Sequence, residues 1–166
     1  SAAAAGDTIK VMDDDNEATD DYVEEVTVGK TLTIARYDNI GANPQVRGLG
    51  NYQPVFTLSA DNVTLQGLDI HAGSEQEVKS ETTRNSGVSL SFCRGCRVEN
   101  NRIGWDSNHT AGGYLSLQIT GGGQNEVCGN SFCYFGMSGV FDNGSDFNTI
   151  RNNTFTHSLW SQGAAV

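Results

Sequence analysis

The sequence predicts an all-β chain wound as a single-stranded parallel β-helix, and three observations carry that expectation. The first is a repeat. LQGLDI at Leu65–Ile70, VENNRI at Val98–Ile103, VCGNSF at Val127–Phe132 and IRNNTF at Ile150–Phe155 are versions of one motif. In register, one apolar column reads Leu65, Val98, Val127, Ile150, and a second reads Ile70, Ile103, Phe132, Phe155. The second observation is spacing. Equivalent positions lie 33, 29 and 23 residues apart, yet the register holds, so surplus residues must leave as loops between rungs. The third is composition: twenty Gly and two Pro suit many tight corners, and the apolar residues come in short alternating runs. One short strand–corner–strand unit cannot bury its apolar row alone. Stacked units bury it continuously, with strands about 4.8 Å apart.

Between the two columns stand Leu68, Asn101, Asn130 and Asn153. Asn tolerates corner geometry, and stacked amides can bond along the axis, so Asn101, Asn130 and Asn153 are expected to form a ladder. Outside the repeat, Asp69 in one coil should meet Arg102 in the next, and Arg97 should meet Glu126. Opposite charges on neighbouring strands contribute about 0.2–1 kcal/mol per pair.

At these residues the chain resembles the right-handed parallel β-helix proteins of the pectin-lyase-like superfamily, in particular the NosD-like and surface-protein repeats. GVSLSFCRGCRVENNRI and GVFDNGSDFNTIRNNTF follow the family's recurring pattern, and AAAAGDTIKV followed by VTVGKTLTI is similar to its first turn. The resemblance implies a right-handed helix of about five to six coils. It implies little about activity, because the superfamily holds lyases, hydrolases, epimerases, adhesins and structural shells. Neither an Asp pair on a predicted strand nor an Asp-Pro-His motif, the signatures of its hydrolases and epimerases, is found.

In chain order, residues 1–166 read as one domain, with an N-terminal cap and acidic loop over 1–30 and regular coils over about 31–160. GDTIKVM is a turn and then a strand. The segment 7–25 holds nine of the twenty acids and one of the ten basic residues, while the remainder is near neutral. Within it Asp13, Asp15, Glu17, Asp21 and Glu24 fall at the oxygen-ligand spacing of a calcium loop. Ala18 stands where that loop needs Gly, so the segment reads either as a solvated acidic loop or as a Ca2+ site of another geometry. Tyr22–Ile34 reads as two strands joined at Gly29-Lys30, Arg36–Gly50 as a loop, and Val55–Leu58 with Val63–Ile70 as the first clear rung. Glu75–Ser86 reads as a long mobile loop. GAAV at the end reads like the start of another strand without a polar cap, so the C-terminal end is expected to stack on a further coil or another copy.

Cysteines come as Cys93-x2-Cys96 and Cys128-x4-Cys133. The repeat places Cys93 with Ala60 and Gly122 and Cys96 with Val63 and Asn125, near the interior, but Cys128 with Gln66, Glu99 and Arg151, facing out. A shared zinc site is thereby disfavoured, and local disulfides and free thiols stay open. Trp105, Tyr134, Phe135 and Trp160 follow the rungs at similar offsets. They form either a sugar-binding edge or a cover over the core. His71, His109 and His157 share no column, which argues against a His-based site. Sequons at Asn62, Asn108, Asn143 and Asn152 permit glycosylation.

A pI near 4.5 argues against nucleic-acid binding, and no window is apolar enough to span a membrane. Two functions fit. One is a non-catalytic structural or assembly module that is secreted, periplasmic or at the cell surface. The other is a carbohydrate-active module that binds or β-eliminates an acidic polysaccharide through an Asp69, Arg97, Arg102 face or the aromatic edge.

Overall fold

The structure, a computed structural model, describes residues 2–13, 22–38, 41–49, 53–71, 86–104 and 115–158. Every regular element among them is a strand. The chain winds through five three-strand coils and two strands of a sixth. The first holds β1 (Thr8–Val11), β2 (Tyr22–Val23) and β3 (Val26–Val28). The second holds β4 (Thr33–Arg36), β5 (Gln45–Arg47) and β6 (Phe56–Leu58). The third holds β7 (Thr64–Gln66), β8 (Asp69–His71) and β9 (Ser86–Ser91). The fourth holds β10 (Arg97–Glu99), β11 (Arg102–Gly104) and β12 (Leu115–Thr120). The fifth holds β13 (Glu126–Cys128), β14 (Ser131–Cys133) and β15 (Ser138–Asn143), and β16 (Thr149–Arg151) and β17 (Thr154–Thr156) open the sixth.

Every third strand pairs in parallel, giving sheet A (β1-β4-β7-β10-β13-β16), sheet B (β2-β5-β8-β11-β14-β17) and sheet C (β3-β6-β9-β12-β15). This is a right-handed parallel β-helix of about five to six coils, the fold the repeat predicts. Leu65, Val98, Val127 and Ile150 lie one above another in sheet A. Ile70, Ile103, Phe132 and Phe155 do the same in sheet B. Sheet C adds two inner columns, one running Val26, Phe56, Val88, Leu117, Val140 and the other Val28, Leu58, Leu90, Ile119, Asp142. Most of these side chains are wholly buried, and Phe132 stacks on Phe155 at 5.0 Å.

Sheets A and B meet at a two-residue corner in the later coils. Its first residue turns left-handed (Gly67, Asn100, Gly129 and Asn152, φ between 55 and 72), a conformation that Gly and Asn adopt at least cost. The second residue supplies the ladder. Asn101 N–H and Nδ2 donate to Asn130 Oδ1 at 2.9 and 3.1 Å. Asn130 N–H and Nδ2 repeat this onto Asn153 Oδ1 at 2.9 and 3.1 Å. Each amide also donates inward, Asn130 Nδ2 to Val98 O at 2.8 Å and Asn153 Nδ2 to Val127 O at 2.8 Å. A second amide row, absent from the sequence reading, runs along the C-to-A corner. Asn125 Oδ1 accepts from Cys96 N–H at 2.9 Å, and Asn148 Oδ1 accepts from Asn125 N–H at 3.0 Å.

The first two coils depart from expectation. The span Arg36–Gly50, expected as a loop, contains β5, whose Val46 continues the sheet B column. Tyr22–Ile34, expected as two strands, supplies β2, β3 and the start of β4 on three different sheets. The stretch 1–30, expected as an N-terminal cap and acidic loop, supplies β1, β2 and β3 among its described residues. Here the A-to-B connections are long, so the two strands that the later motif joins through two residues lie far apart in sequence. Of Glu75–Ser86, only Ser86 lies among the described residues, and it begins β9.

Candidate functional site

Outward-facing side chains of sheet A form a charged row. Arg97 pairs with Glu99 at 2.8 Å and with Glu126 at 3.5 Å, and Arg151 Nε donates to Glu126 Oε1 at 2.8 Å. Three coils are linked through Glu126. The guanidinium of Arg151 holds the Glu126 carboxyl below its ordinary range, and Glu126 in turn raises Arg151. A depressed carboxyl contributes stability above its unfolded pKa of about 4.3 and loses it as pH falls through the lower folded value. Glu126→Gln should therefore flatten the acid limb of an unfolding profile and leave behaviour at high salt unchanged, because exposed pairs are screened. An identical acid limb in both proteins would remove this pair from the account.

Sheet B carries a tighter cluster. Gln45, Asp69 and Arg102 share one outward column, and Arg47, His71 and Gly104 share the next. Arg102 NH1 reaches both Asp69 oxygens at 2.9 and 3.0 Å, His71 Nε2 lies 3.0 Å from Asp69 Oδ1, and Gln45 Nε2 lies 3.0 Å from His71 Nδ1. Arg102 NH1 lies 3.2 Å from the same Nε2, so the ring is bracketed by the Gln45 amide on one side and by Asp69 and Arg102 on the other. His71 is 6% exposed. Its ring thus bridges coils two and three, while Arg102 brings in coil four. Sequence reasoning set His71 aside for want of a shared His column. The signal was Asp69-x-His71, which puts both side chains on one face of a strand beside Arg102. The expected Asp69, Arg97, Arg102 face does not form, because Arg97 points out from sheet A and the other two from sheet B.

Where the long A-to-B connections leave the first coils, a cleft of about 280 Å³ opens, lined by Lys10, Arg36, Tyr37, Asp38, Gln66, Gly67 and Asn100. Lys10 Nζ donates to Arg36 O at 3.4 Å. Arg36 is held by Asn43 Oδ1 at 2.9 Å and Gly41 O at 2.8 Å. The Tyr37 residue is 57% exposed. The lining thus combines an accessible aromatic ring, two amides, two cations and one carboxylate, that of Asp38. Four coils contribute, so no local motif could have announced the cleft.

Of the expected aromatic edge, Tyr134 stacks on His157 at 4.6 Å, one coil above. Phe135 turns inward: it is 4% exposed and meets Phe155 edge-on at 6.3 Å, covering the core. Trp105 and Trp160 lie outside the described residues, as do Asp15, Glu17 and Asp21 of the acidic segment. Asp13 follows β1 and Glu24 follows β2, so the segment spans the first A-to-B connection. All four cysteines are free and buried. Cys128 occupies an outward column, 3.9 Å from Glu99 Oε2, and burial pushes its thiol up.

No helix among the described residues is long and apolar enough to cross a membrane. Compared with known proteins, the chain matches no family model, no curated protein and no solved structure.

Proposed function

We propose that this chain is a non-catalytic structural β-helix module, secreted, periplasmic or at a cell surface, whose edge coil docks on a further coil or on another copy. The observation that carries the reading is that the inner apolar columns reach both rims of the described stack. Ile150 and Phe155 are only half-buried on β16 and β17. At the other rim Ile9 is 39% and Tyr22 42% exposed. Stacking Ile150 over Ile9 and Phe155 over Tyr22 would continue both columns and pair open strand edges. Asp142 ends one apolar column of sheet C, so docking would run through sheets A and B. The outward charges support the same reading, since they are engaged in rung-to-rung pairs. The resemblance to surface-protein β-helix repeats points the same way.

Light scattering across a concentration series tests it. The mass of the native protein should rise with concentration, and Ile9→Glu should suppress that rise while circular dichroism keeps its β signature. A native protein that stays monomeric at the highest concentrations would overturn the proposal.

The cleft at Lys10, Arg36 and Tyr37 favours a second reading, a module that binds or β-eliminates an acidic polysaccharide. Uronate-containing glycans should be retained by the native protein and lost with Tyr37→Ala. Absence of both glycan retention and ultraviolet-absorbing unsaturated product would remove it.

A further inference from the structure

Asn143 belongs to none of the faces above. It closes β15, the last strand of sheet C, and is the one asparagine of the chain that a glycine follows. That order carries chemistry of its own. The backbone nitrogen of the following residue can close a five-membered ring on the asparagine side-chain carbon, and a neighbour without a Cβ leaves the approach most open. Three features of the fold leave the ring closure unopposed here. Asn143 and Gly144 are both exposed. In the two coils below, the residue at the place of Gly144 gives its N–H to the rung above, Phe92 to Thr120 O at 2.8 Å and Gly121 to Asn143 O at 3.2 Å. Because β15 is the rim of sheet C, Gly144 N–H has no such acceptor among the described residues. Gly144 also turns left-handed at φ +71, and a Cβ built on it meets nothing within 4 Å, so this peptide rotates without pushing on a neighbour. Asn130, whose follower Ser131 is also small, is the opposite case. It is 1% exposed, and its amide is fixed to Asn101, Val98 O and Asn153.

We propose that Asn143-Gly144 is a self-modification site, at which the asparagine passes through a cyclic imide to isoaspartate and aspartate. The Gly144 nitrogen gives its proton to solvent and attacks Asn143 Cγ. A C–N bond closes the ring, the bond from Cγ to Nδ2 breaks, and that nitrogen leaves as ammonia with a proton from water. Water then adds to one of the two imide carbonyls. Opening at the backbone carbonyl leaves the chain running through the side chain, as isoaspartate. Opening at Cγ gives ordinary aspartate. One water is consumed, one ammonia is released, and nothing is oxidised or reduced. Either product sets a new carboxylate between Asp142 and Asp146 in the sequence. Isoaspartate also lengthens the main chain by a methylene just before a bonded corner. There Asp142 accepts from Ser145 Oγ and, at 2.9 Å, from Asn148 Nδ2, while Asn148 Oδ1 accepts from Asn125 N–H at 3.0 Å. The upper end of the second amide row is thereby loosened. The inference is independent of the assembly reading.

The test keeps the folded native protein, made without N-glycans, in warm, mildly alkaline heavy-oxygen water, then digests it and maps its peptides by mass. Asn143 should be the first asparagine lost, with heavy oxygen in both products. Isoaspartate should be the larger share, and its peptide should accept a methyl group from an isoaspartyl methyltransferase. Asn143→Gln puts the side-chain carbonyl one carbon further away, and the same peptide should then take no methyl group. Asn143 still intact after buried Asn130 has begun to convert would overturn the proposal, because the fold would be holding the pair apart. Aspartate without isoaspartate would overturn it too, since water would then be attacking the amide directly.

Discussion

Asn130→Ala is expected to cost about 2–4 kcal/mol of stability, seen as a lower urea midpoint at unchanged slope. Asn130 is 1% exposed and sits in the middle of the ladder. Alanine takes away Oδ1, the acceptor for both the backbone N–H and the side-chain amide of Asn101 at 2.9 and 3.1 Å. Those donors are buried, and no water reaches them to replace the lost bonds. Asn130→Asp separates the two halves of the amide. It keeps the acceptor but replaces the donor to Val98 O and sets a carboxylate oxygen against Asn153 Oδ1. Its folded pKa should be raised, so its deficit should be smallest in acid and grow as pH rises through that folded value. Asn143→Ala, at an exposed strand end, should stay within about 0.5 kcal/mol of the native protein. If Asn130→Ala behaved like Asn143→Ala, the ladder would be decoration on a stack held by its apolar columns alone.

The reason Asn130 could be picked out of the sequence at all bears on what else could be. Where two strands are joined by two residues, as at Asn100-Asn101, Gly129-Asn130 and Asn152-Asn153, one window holds both apolar columns and the corner between them. Repetition then makes the register visible, and it extends to the charge pairs Asp69–Arg102 and Arg97–Glu126. In the first two coils the same corner is stretched over 12–21 and 37–44, so Val46 on β5 has no motif around it and reads as loop. Sites fared worse for a related reason. The repeat reports what is alike between coils, whereas a site is built from what differs. His71 stands where Gly104 and Cys133 stand in the next two coils, and the cleft joins Lys10, Arg36, Gln66 and Asn100 from four coils. Phe135 shows the converse. Its offset suggested an edge, but only the packing against Phe155 shows that the chain turns it inward.

Gly104→Ala should be the most damaging single substitution, losing about 4 kcal/mol or more and reducing the yield of folded protein. Two costs coincide there. Gly104 has φ +146, which a residue bearing a Cβ rarely adopts, and a Cβ would lie 1.8 Å from Cys133 O and 2.8 Å from Cys133 C. Those atoms are backbone, one coil above, and β14 is itself held by β17 on its far side. To make room, the rungs would have to part, and a parallel sheet has no soft direction along its hydrogen bonds. Other members of the same column, Arg47, His71, Cys133 and Thr156, carry side chains because their φ is not in the left-handed range. Gly29→Ala supplies the contrast. Its nearest neighbour would be Ser59 Oγ at 3.9 Å and its φ is ordinary, so alanine should be neutral or stabilise by up to about 1 kcal/mol by restricting the unfolded chain. Thermal unfolding of the two variants side by side separates local strain from the general cost of replacing glycine. Equal midpoints would mean that coils four and five can separate at Gly104, and that the rung spacing there is not set by the chain itself.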